Sequence, residues 1–163
     1  YSNQLAGKVK QEFLLENEFM QEIKFGEFLV KAIKVWLQED ANKELKSIDI
    51  IRCWIVRQFQ NEYNPVHLHS GHISGVGYLK VPKTLGSVSE KKKINDKGRL
   101  TFIHGSVNLF SKATYVIKPE VGDFYLFPNY LMHTVYPFSD TDEERRSISF
   151  NAQIDKNSAN YAS

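Results

Sequence analysis

The sequence predicts a mainly β fold, an antiparallel sandwich or barrel preceded by helices. Short segments rich in β-branched and aromatic residues recur between 47 and 154 with turn signals between them, a pattern typical of antiparallel sheets. Aromatic residues make up 13% of the 163 residues, which suits a β-rich core. Helical periodicity is confined to the N-terminal part. We therefore expect residues 8–46 to form a helical buttress and residues 47–154 to form the β core.

Two helices are expected in the buttress. Apolar residues recur at about helical period over 9–24, and a second stretch over 27–41 repeats an i, i+3/i+4 rhythm. Gly26 is the predicted break between the two helices. Both apolar faces should pack on the β core, as such stripes usually do.

Eight strands should follow the helices. Glu62–Pro65 reads as a turn, and two glycines inside the third strand, Gly75 and Gly77, indicate that something approaches the backbone closely. The loop carrying Lys91, Lys92 and Lys93 is expected to be solvated, with a lid over the substrate as the alternative. Residues 155–163 are predicted to form a polar tail. The predicted strands span 48–59, 66–69, 73–81, 99–104, 113–118, 124–127, 132–136 and 146–154.

Composition excludes several classes of partner. The net charge is only +2, which argues against a nucleic-acid partner, and no apolar run is long enough to cross a membrane. The first residues do not resemble a secretory signal, and the single cysteine, Cys53, permits no intrachain disulfide. We therefore expect a cytoplasmic protein in which Cys53 is a buried, inert thiol. The oligomeric state cannot be predicted from the sequence.

Three of the five histidines lie close together, at His67, His69 and His72. On an extended strand, residues i and i+2 point to the same side, so His67 and His69 could present two imidazoles to one point. Imidazole is a ligand for iron, zinc, copper and nickel. A firmly held metal would need a third ligand from elsewhere in the chain.

The best candidate for that ligand is His133. It stands at the start of a predicted strand, within an apolar run that follows Pro128. A polar ring in such a place needs a partner, which a metal ion or a buried hydrogen bond could supply. The spacing favours a metal site formed by His67, His69 and His133, with structural histidines as the alternative.

Three motifs make the interpretation more specific. They are His67-x-His69 followed by Ser74-Gly75-Val76-Gly77-Tyr78-Leu79, then Gly122-Asp123-Phe124-Tyr125-Leu126-Phe127-Pro128 leading to His133, and then Arg145-x-Ser147-x-Ser149-Phe150-Asn151. In order and spacing, residues 54–151 resemble the Fe(II)/2-oxoglutarate-dependent oxygenase superfamily, and look closest to its small prolyl-hydroxylase-like branch of bacteria and phages. The resemblance implies a double-stranded β-helix, or jelly roll, and a single oxygenase domain over 1–163.

The resemblance also implies roles for individual residues. His67 would be the first metal ligand and His133 the last, with Fe(II), 2-oxoglutarate and O₂ as cofactor and co-substrates. Arg145 would pair with the distal carboxylate of 2-oxoglutarate, and Ser147 and Tyr78 would contact the same group. Arg145 and Ser147 share one face of a strand, and a guanidinium fork suits a carboxylate. Arg146 is the alternative if the register differs by one residue.

The sequence departs from the family pattern at His69, where relatives usually carry Asp or Glu. Three neutral imidazoles leave the +2 charge of iron uncompensated, and bound 2-oxoglutarate would bring the complex to about neutral. Two other arrangements stay open: a two-histidine site completed by water, and a site in which His72 turns inward.

The expected activity is hydroxylation of an unactivated C–H bond in a peptidyl or small-molecule substrate, with conversion of 2-oxoglutarate to succinate. One alternative is a cupin-type dioxygenase that uses three histidines and no 2-oxoglutarate. Another is a non-catalytic jelly-roll binding module. A zinc hydrolase fits less well, because no carboxylate that could act as a general base lies near the histidine motif.

Overall fold

In the computed structural model, which describes residues 6–85 and 96–155, two helices precede all but the first strand of two antiparallel sheets. The major sheet has the strand order β1-β2-β9-β4-β7 and the minor sheet the order β3-β8-β5-β6. From β2 onward this is the strand order of a double-stranded β-helix, so the predicted fold class is confirmed. The elements are β1 Gln11–Leu14, α1 Asn17–Glu22, α2 Phe25–Ala41, β2 Ile48–Gln58, β3 Asn64–His67, β4 Ile73–Lys80, β5 Leu100–Ile103, β6 Thr114–Ile117, β7 Phe124–Pro128, β8 Met132–Val135 and β9 Arg145–Ile154.

Helix α2 covers one face of the major sheet, as the sequence predicted. Its residues Leu29 and Ile33 have no exposed surface and share a core cluster with Cys53, Phe150 and Ala152. Burial raises the pKa of the Cys53 thiol to about 12, so this thiol stays protonated and inert. The packing fixes the backbone of β9, which carries the predicted co-substrate residues.

The helix predicted over 9–24 was wrong in its first half. Residues Gln11–Leu14 form β1, which pairs antiparallel with β2 and aligns Phe13 with Ile55, and the helix is confined to Asn17–Glu22. The predicted break at Gly26 was also misplaced. The chain turns at Lys24, whose φ of 55° is left-handed, and Gly26 lies inside α2.

The eight later strands lie close to their predicted positions. The main difference concerns β3, which begins at Asn64 and includes Pro65, although these residues were predicted to form a turn. Proline fits there because β3 is an edge strand of the minor sheet. The strand ends at His67, so His69 lies beyond it.

A second core cluster joins the two sheets. It contains Leu100, Phe102, Ile117, Phe127 and Val135. The strand glycines do mark close approaches, because a Cβ atom on Gly75 would lie 2.8 Å from the backbone oxygen of Tyr125.

Lys91, Lys92 and Lys93 and most of the predicted tail lie outside the described residues. Among helices in the described ranges, none is long and apolar enough to span a membrane.

Candidate metal and co-substrate site

A cavity of about 280 Å³ is lined by residues of both sheets. His67, His69 and His133 contribute to its wall from the minor-sheet side. Tyr78, Arg145, Ser147, Ser149 and Asn151 contribute from the major sheet, four of them alternating along β9. Alternate residues of a strand face the same side, so β9 turns a polar row into this cavity.

The structure brings the three predicted histidines together. His67 and His133 are register partners on β3 and β8. One ring nitrogen of each of His67, His69 and His133 lies within 4.8 Å of the other two, and the Nε2 atoms of His69 and His133 are 3.2 Å apart. Such a spacing allows all three nitrogens to approach one ion.

Two of these rings are oriented by their own backbone. Nδ1 of His67 lies 2.7 Å from the carbonyl oxygen of Pro65, and Nδ1 of His133 lies 2.9 Å from that of Leu131. A carbonyl can only accept, so each Nδ1 carries the proton and each Nε2 keeps its lone pair. Hydrogen bonds of this kind fix the tautomer of histidines that bind metals.

His69 is oriented differently. Its backbone N–H donates to the carbonyl oxygen of Asn129 over 3.2 Å, and the side-chain Nδ2 of Asn129 donates to the carbonyl oxygen of His69 over 3.1 Å. The Trp54 ring lies 5.7 Å from the His69 ring. Sequence reasoning missed this contact of Asn129, because it joins residues sixty positions apart.

All three imidazoles are held in the neutral state. Burial lowers the pKa of His69 to about 3, with further lowering from His133 and His67. Burial also lowers the pKa of His133 to about 4 and lowers that of His67. Neutral imidazole is the form that binds metals, so the cluster is ready for a cation at neutral pH.

His72 does not join the cluster. Its Nδ1 accepts a hydrogen bond from the backbone N–H of Ile154 over 3.1 Å, and its backbone N–H donates to Ala152. Both contacts tie His72 to β9. The alternative in which His72 turns inward therefore finds no support in the geometry.

Arg145 is buried in the cavity wall with only 2% of its surface exposed. Its NH1 donates to Oε1 of Gln58 over 3.1 Å, and its guanidinium carbon lies 5.0 Å from the centre of the Tyr78 ring. Its Nε has no hydrogen-bond partner, and no carboxylate of the described residues lies within 4 Å of the guanidinium. A buried cation without a counterion is costly, which is typical of a site that receives an anion.

Tyr78 and Ser147 complete this end of the cavity. They are register partners on β4 and β9, and both are buried. Burial raises the pKa of the Tyr78 hydroxyl, against a lowering by the neighbouring Arg145 guanidinium, so the hydroxyl stays protonated; its proton has no acceptor among the described residues and can be donated. Together with Nε of Arg145, it offers unused donors to a carboxylate.

Arg146, the register alternative, is engaged elsewhere. Its Nε and NH2 bind the two carboxylate oxygens of Glu144 at 2.7 and 2.8 Å. It does not line the cavity. Of the two arginines, the structure therefore places Arg145 beside the histidines.

The donor set fits the groups that the sequence predicted. Three neutral imidazoles suit a divalent first-row transition metal. The unpaired guanidinium and hydroxyl suit a carboxylate.

Comparison with known proteins identifies the family of the chain. Residues 52–151, more than half of the chain, match the family model described as "Putative 2OG-Fe(II) oxygenase". The chain therefore belongs to the 2OG-Fe(II) oxygenase family, and the resemblance seen in its motifs is confirmed. No curated protein sequence matches it significantly.

Solved structures share the fold at low sequence identity. A Pseudomonas putida prolyl-4-hydroxylase is 14% identical with a TM-score of 0.55, over 88% of this chain and 70% of that one. The viral collagen prolyl hydroxylase vCPH from Paramecium Bursaria Chlorella virus-1, in a 2OG complex, is 12% identical with a TM-score of 0.56, over 90% and 79%. A 2OG-Fe(II) oxygenase family oxidoreductase from Burkholderia pseudomallei is 16% identical with a TM-score of 0.50, over 74% of this chain. The present chain spans only 50% of that protein.

Proposed function

We propose that this chain is a single-domain Fe(II)- and 2-oxoglutarate-dependent dioxygenase that hydroxylates an unactivated C–H bond of a peptidyl or small-molecule substrate. One observation carries the proposal. A single cavity combines three neutral imidazoles with a buried arginine that has no carboxylate partner among the described residues. The first group suits a metal ion and the second suits the distal carboxylate of 2-oxoglutarate.

The imidazoles of His67, His69 and His133 would hold the iron. Bound Fe(II) supplies the oxidation, in which one atom of O₂ enters the substrate C–H bond as hydroxyl and the other enters succinate, while 2-oxoglutarate loses CO₂. The protein would keep the cation in place with ligands that stay unprotonated at neutral pH. It would also leave part of the coordination sphere open, as catalytic metal sites require.

Arg145 would fix the position of the co-substrate. Its free Nε–H, with the hydroxyl of Tyr78, would donate to the carboxylate, and Ser147 lies beside Tyr78 in the register. Gln58 already holds the other side of the guanidinium, so the fork is pre-oriented before the ligand arrives. The apolar side chains of Phe127 and Val135 line the same cavity and would limit the access of water to it.

The substrate class follows only loosely from the relatives. Two of the similar structures are prolyl hydroxylases, which makes a peptidyl side chain one reasonable target. The likeness at these identities concerns the fold, so a small metabolite is an equal candidate.

A second function is favoured by one feature, the histidine at position 69. Three neutral histidines are the ligand set of a cupin-type dioxygenase that needs no 2-oxoglutarate. That function gives no role to the unpaired Arg145, so we rank it second.

The decisive experiment is an anaerobic titration of 2-oxoglutarate into iron(II)-loaded protein, followed by visible absorption. We expect a metal-to-ligand band in the wild type and none in His133→Ala. The matched control is His104→Ala, because His104 is exposed and lies outside the cluster. If iron binds but no metal-to-ligand band appears, the three-histidine dioxygenase becomes the better-supported function. If the wild type binds no iron, the non-catalytic binding module becomes the leading interpretation.

A further inference from the structure

We propose that Asn129 is a positioning residue that makes His69 a metal ligand, an inference that rests on the metal site of the proposed function. Asn129 stands in the turn between β7 and β8, four residues before His133. It therefore belongs to the turn that leads into β8, the strand that carries His133.

The three histidines differ in how they are held. His67 and His133 each lie on a strand, and each has its ring anchored by a hydrogen bond from Nδ1 to a carbonyl oxygen. His69 lies beyond the end of β3, and within residues 6–85 and 96–155 the ring hydrogen bond it forms is the contact of Nε2 with His133. Neither regular strand pairing nor a ring anchor of its own orients this residue.

Asn129 replaces both kinds of support. Its carbonyl oxygen accepts from the backbone N–H of His69, its Nδ2 donates to the carbonyl oxygen of His69, and its backbone N–H donates to the carbonyl oxygen of His72. Three hydrogen bonds therefore fix the segment from His69 to His72 against the turn that leads into β8. Because a side chain leaves the backbone in a fixed direction, fixing the peptide groups on both sides of His69 sets the direction of its ring.

The Nδ2 bond is the part that depends on the amino acid. Any residue except proline could provide the two backbone contacts at position 129, whereas the bond to the carbonyl oxygen of His69 needs a side-chain donor of this length. Asn129→Ala removes that bond alone. Asn129→Asp keeps the shape but places an acceptor against a carbonyl oxygen.

The test is cobalt(II) binding to the otherwise intact chain without 2-oxoglutarate, with the dissociation constant and the visible spectrum as readouts. Outer-shell partners of metal ligands typically contribute roughly 10- to 100-fold in affinity, so we expect a loss of this size in Asn129→Ala and Asn129→Asp, with an altered cobalt spectrum. The matched control is Asn108→Ala, which removes a side-chain hydrogen bond to the backbone N–H of Phe110 in an exposed loop. It should leave both readouts unchanged.

A double-variant cycle separates positioning from general support. If Asn129 acts through His69, then Asn129→Ala should cost no further affinity in a His69→Ala background. An equal loss in both backgrounds would overturn the proposal, as would wild-type affinity in Asn129→Ala or a lower melting temperature of the metal-free protein with unchanged affinity.

Together with the 2-oxoglutarate titration of the iron(II)-loaded protein, the cobalt titration separates this proposal from the function on which it rests. A wild type that binds cobalt but not 2-oxoglutarate contradicts the proposed function and leaves the role of Asn129 open to support. A wild type that binds no metal at all contradicts both.

Discussion

Arg145 and Arg146 are neighbours on β9 and serve opposite faces of the major sheet. Arg145 faces the cavity, is 2% exposed and has no carboxylate partner among the described residues. Arg146 faces outward, is about two-fifths exposed and binds both oxygens of Glu144. Arg57 and Lys80 from the neighbouring strands bind the same carboxylate.

The two faces differ in how their charges are paired: the outer face pairs its arginine with Glu144, whereas the buried Arg145 of the inner face has no carboxylate partner among the described residues. Burying a guanidinium without a counterion costs several kcal/mol, so a chain under selection for stability alone would pair it or replace it. On the outer face, Glu144 pairs with Arg57, Lys80 and Arg146 of the same chain. On the inner face Arg145 lines the same cavity as the histidine cluster, and under the proposed function 2-oxoglutarate would supply its counter-charge.

The largest expected effect is on the inner face. Arg145→Gln keeps a polar side chain but removes the charge, and truncating one partner of a buried charge pair costs about 2–5 kcal/mol. The dissociation constant of 2-oxoglutarate for iron(II)-loaded protein should therefore rise roughly 30-fold or more, measured by anaerobic titration of the visible band. Arg145→Lys keeps the charge without the fork, so its affinity should fall between those of Arg145→Gln and the wild type.

Arg146→Gln is the matched control on the outer face. The affinity for 2-oxoglutarate should change less than about twofold, because Arg146 does not line the cavity and surface charges act weakly across solvent. If Arg146→Gln lowered the affinity for 2-oxoglutarate as much as Arg145→Gln does, the assignment of the two faces would be wrong.

Much of the site could be predicted, because its residues follow local rules. The alternation of strand residues placed Arg145 and Ser147 on one face, and the position of His133 at the start of a strand, within an apolar run, made it the candidate third ligand. The motif favoured Arg145 and left Arg146 as the alternative, since a shift of one residue in register exchanges the two faces. In the structure Arg146 pairs with Glu144, and Arg145 lines the cavity.

The missed features depend on contacts between distant residues. The strand β1 carries the apolar residues Phe13 and Leu14, which are both 51% exposed, and its one buried side chain is the carboxylate Glu12. The sequence of β1 therefore shows no alternation of apolar and polar residues typical of a strand. This segment forms a strand because it pairs with the edge of β2. The support of His69 by Asn129 is non-local in the same way. His69 was predicted to lie on a strand, and it reaches the cluster by another route.

A smaller effect is expected on the outer face, in stability. Glu144 is 5% exposed and accepts from Nε of Arg57 at 2.6 Å and from Nε of Arg146 at 2.7 Å. Glu144→Gln keeps the volume and loses the charge, so the free energy of unfolding should fall by about 1–2 kcal/mol in denaturant titrations at neutral pH. The affinity for 2-oxoglutarate should not change, and a loss of affinity as large as that of Arg145→Gln would show that the two faces are coupled.

The smallest effect is a pH dependence of that stability difference. Hydrogen bonds from Arg146, together with those from Arg57, lower the pKa of Glu144 to about 2, against the opposing effect of burial. A carboxyl whose pKa is lower in the folded state than in the unfolded state stabilises the fold above the unfolded pKa of 4.5, and this contribution is lost as the pH falls toward 2. The difference in unfolding free energy between wild type and Glu144→Gln should therefore be constant above about pH 5 and shrink below it. A difference that stayed constant down to pH 3 would show that Glu144 stabilises the sheet by packing rather than by charge.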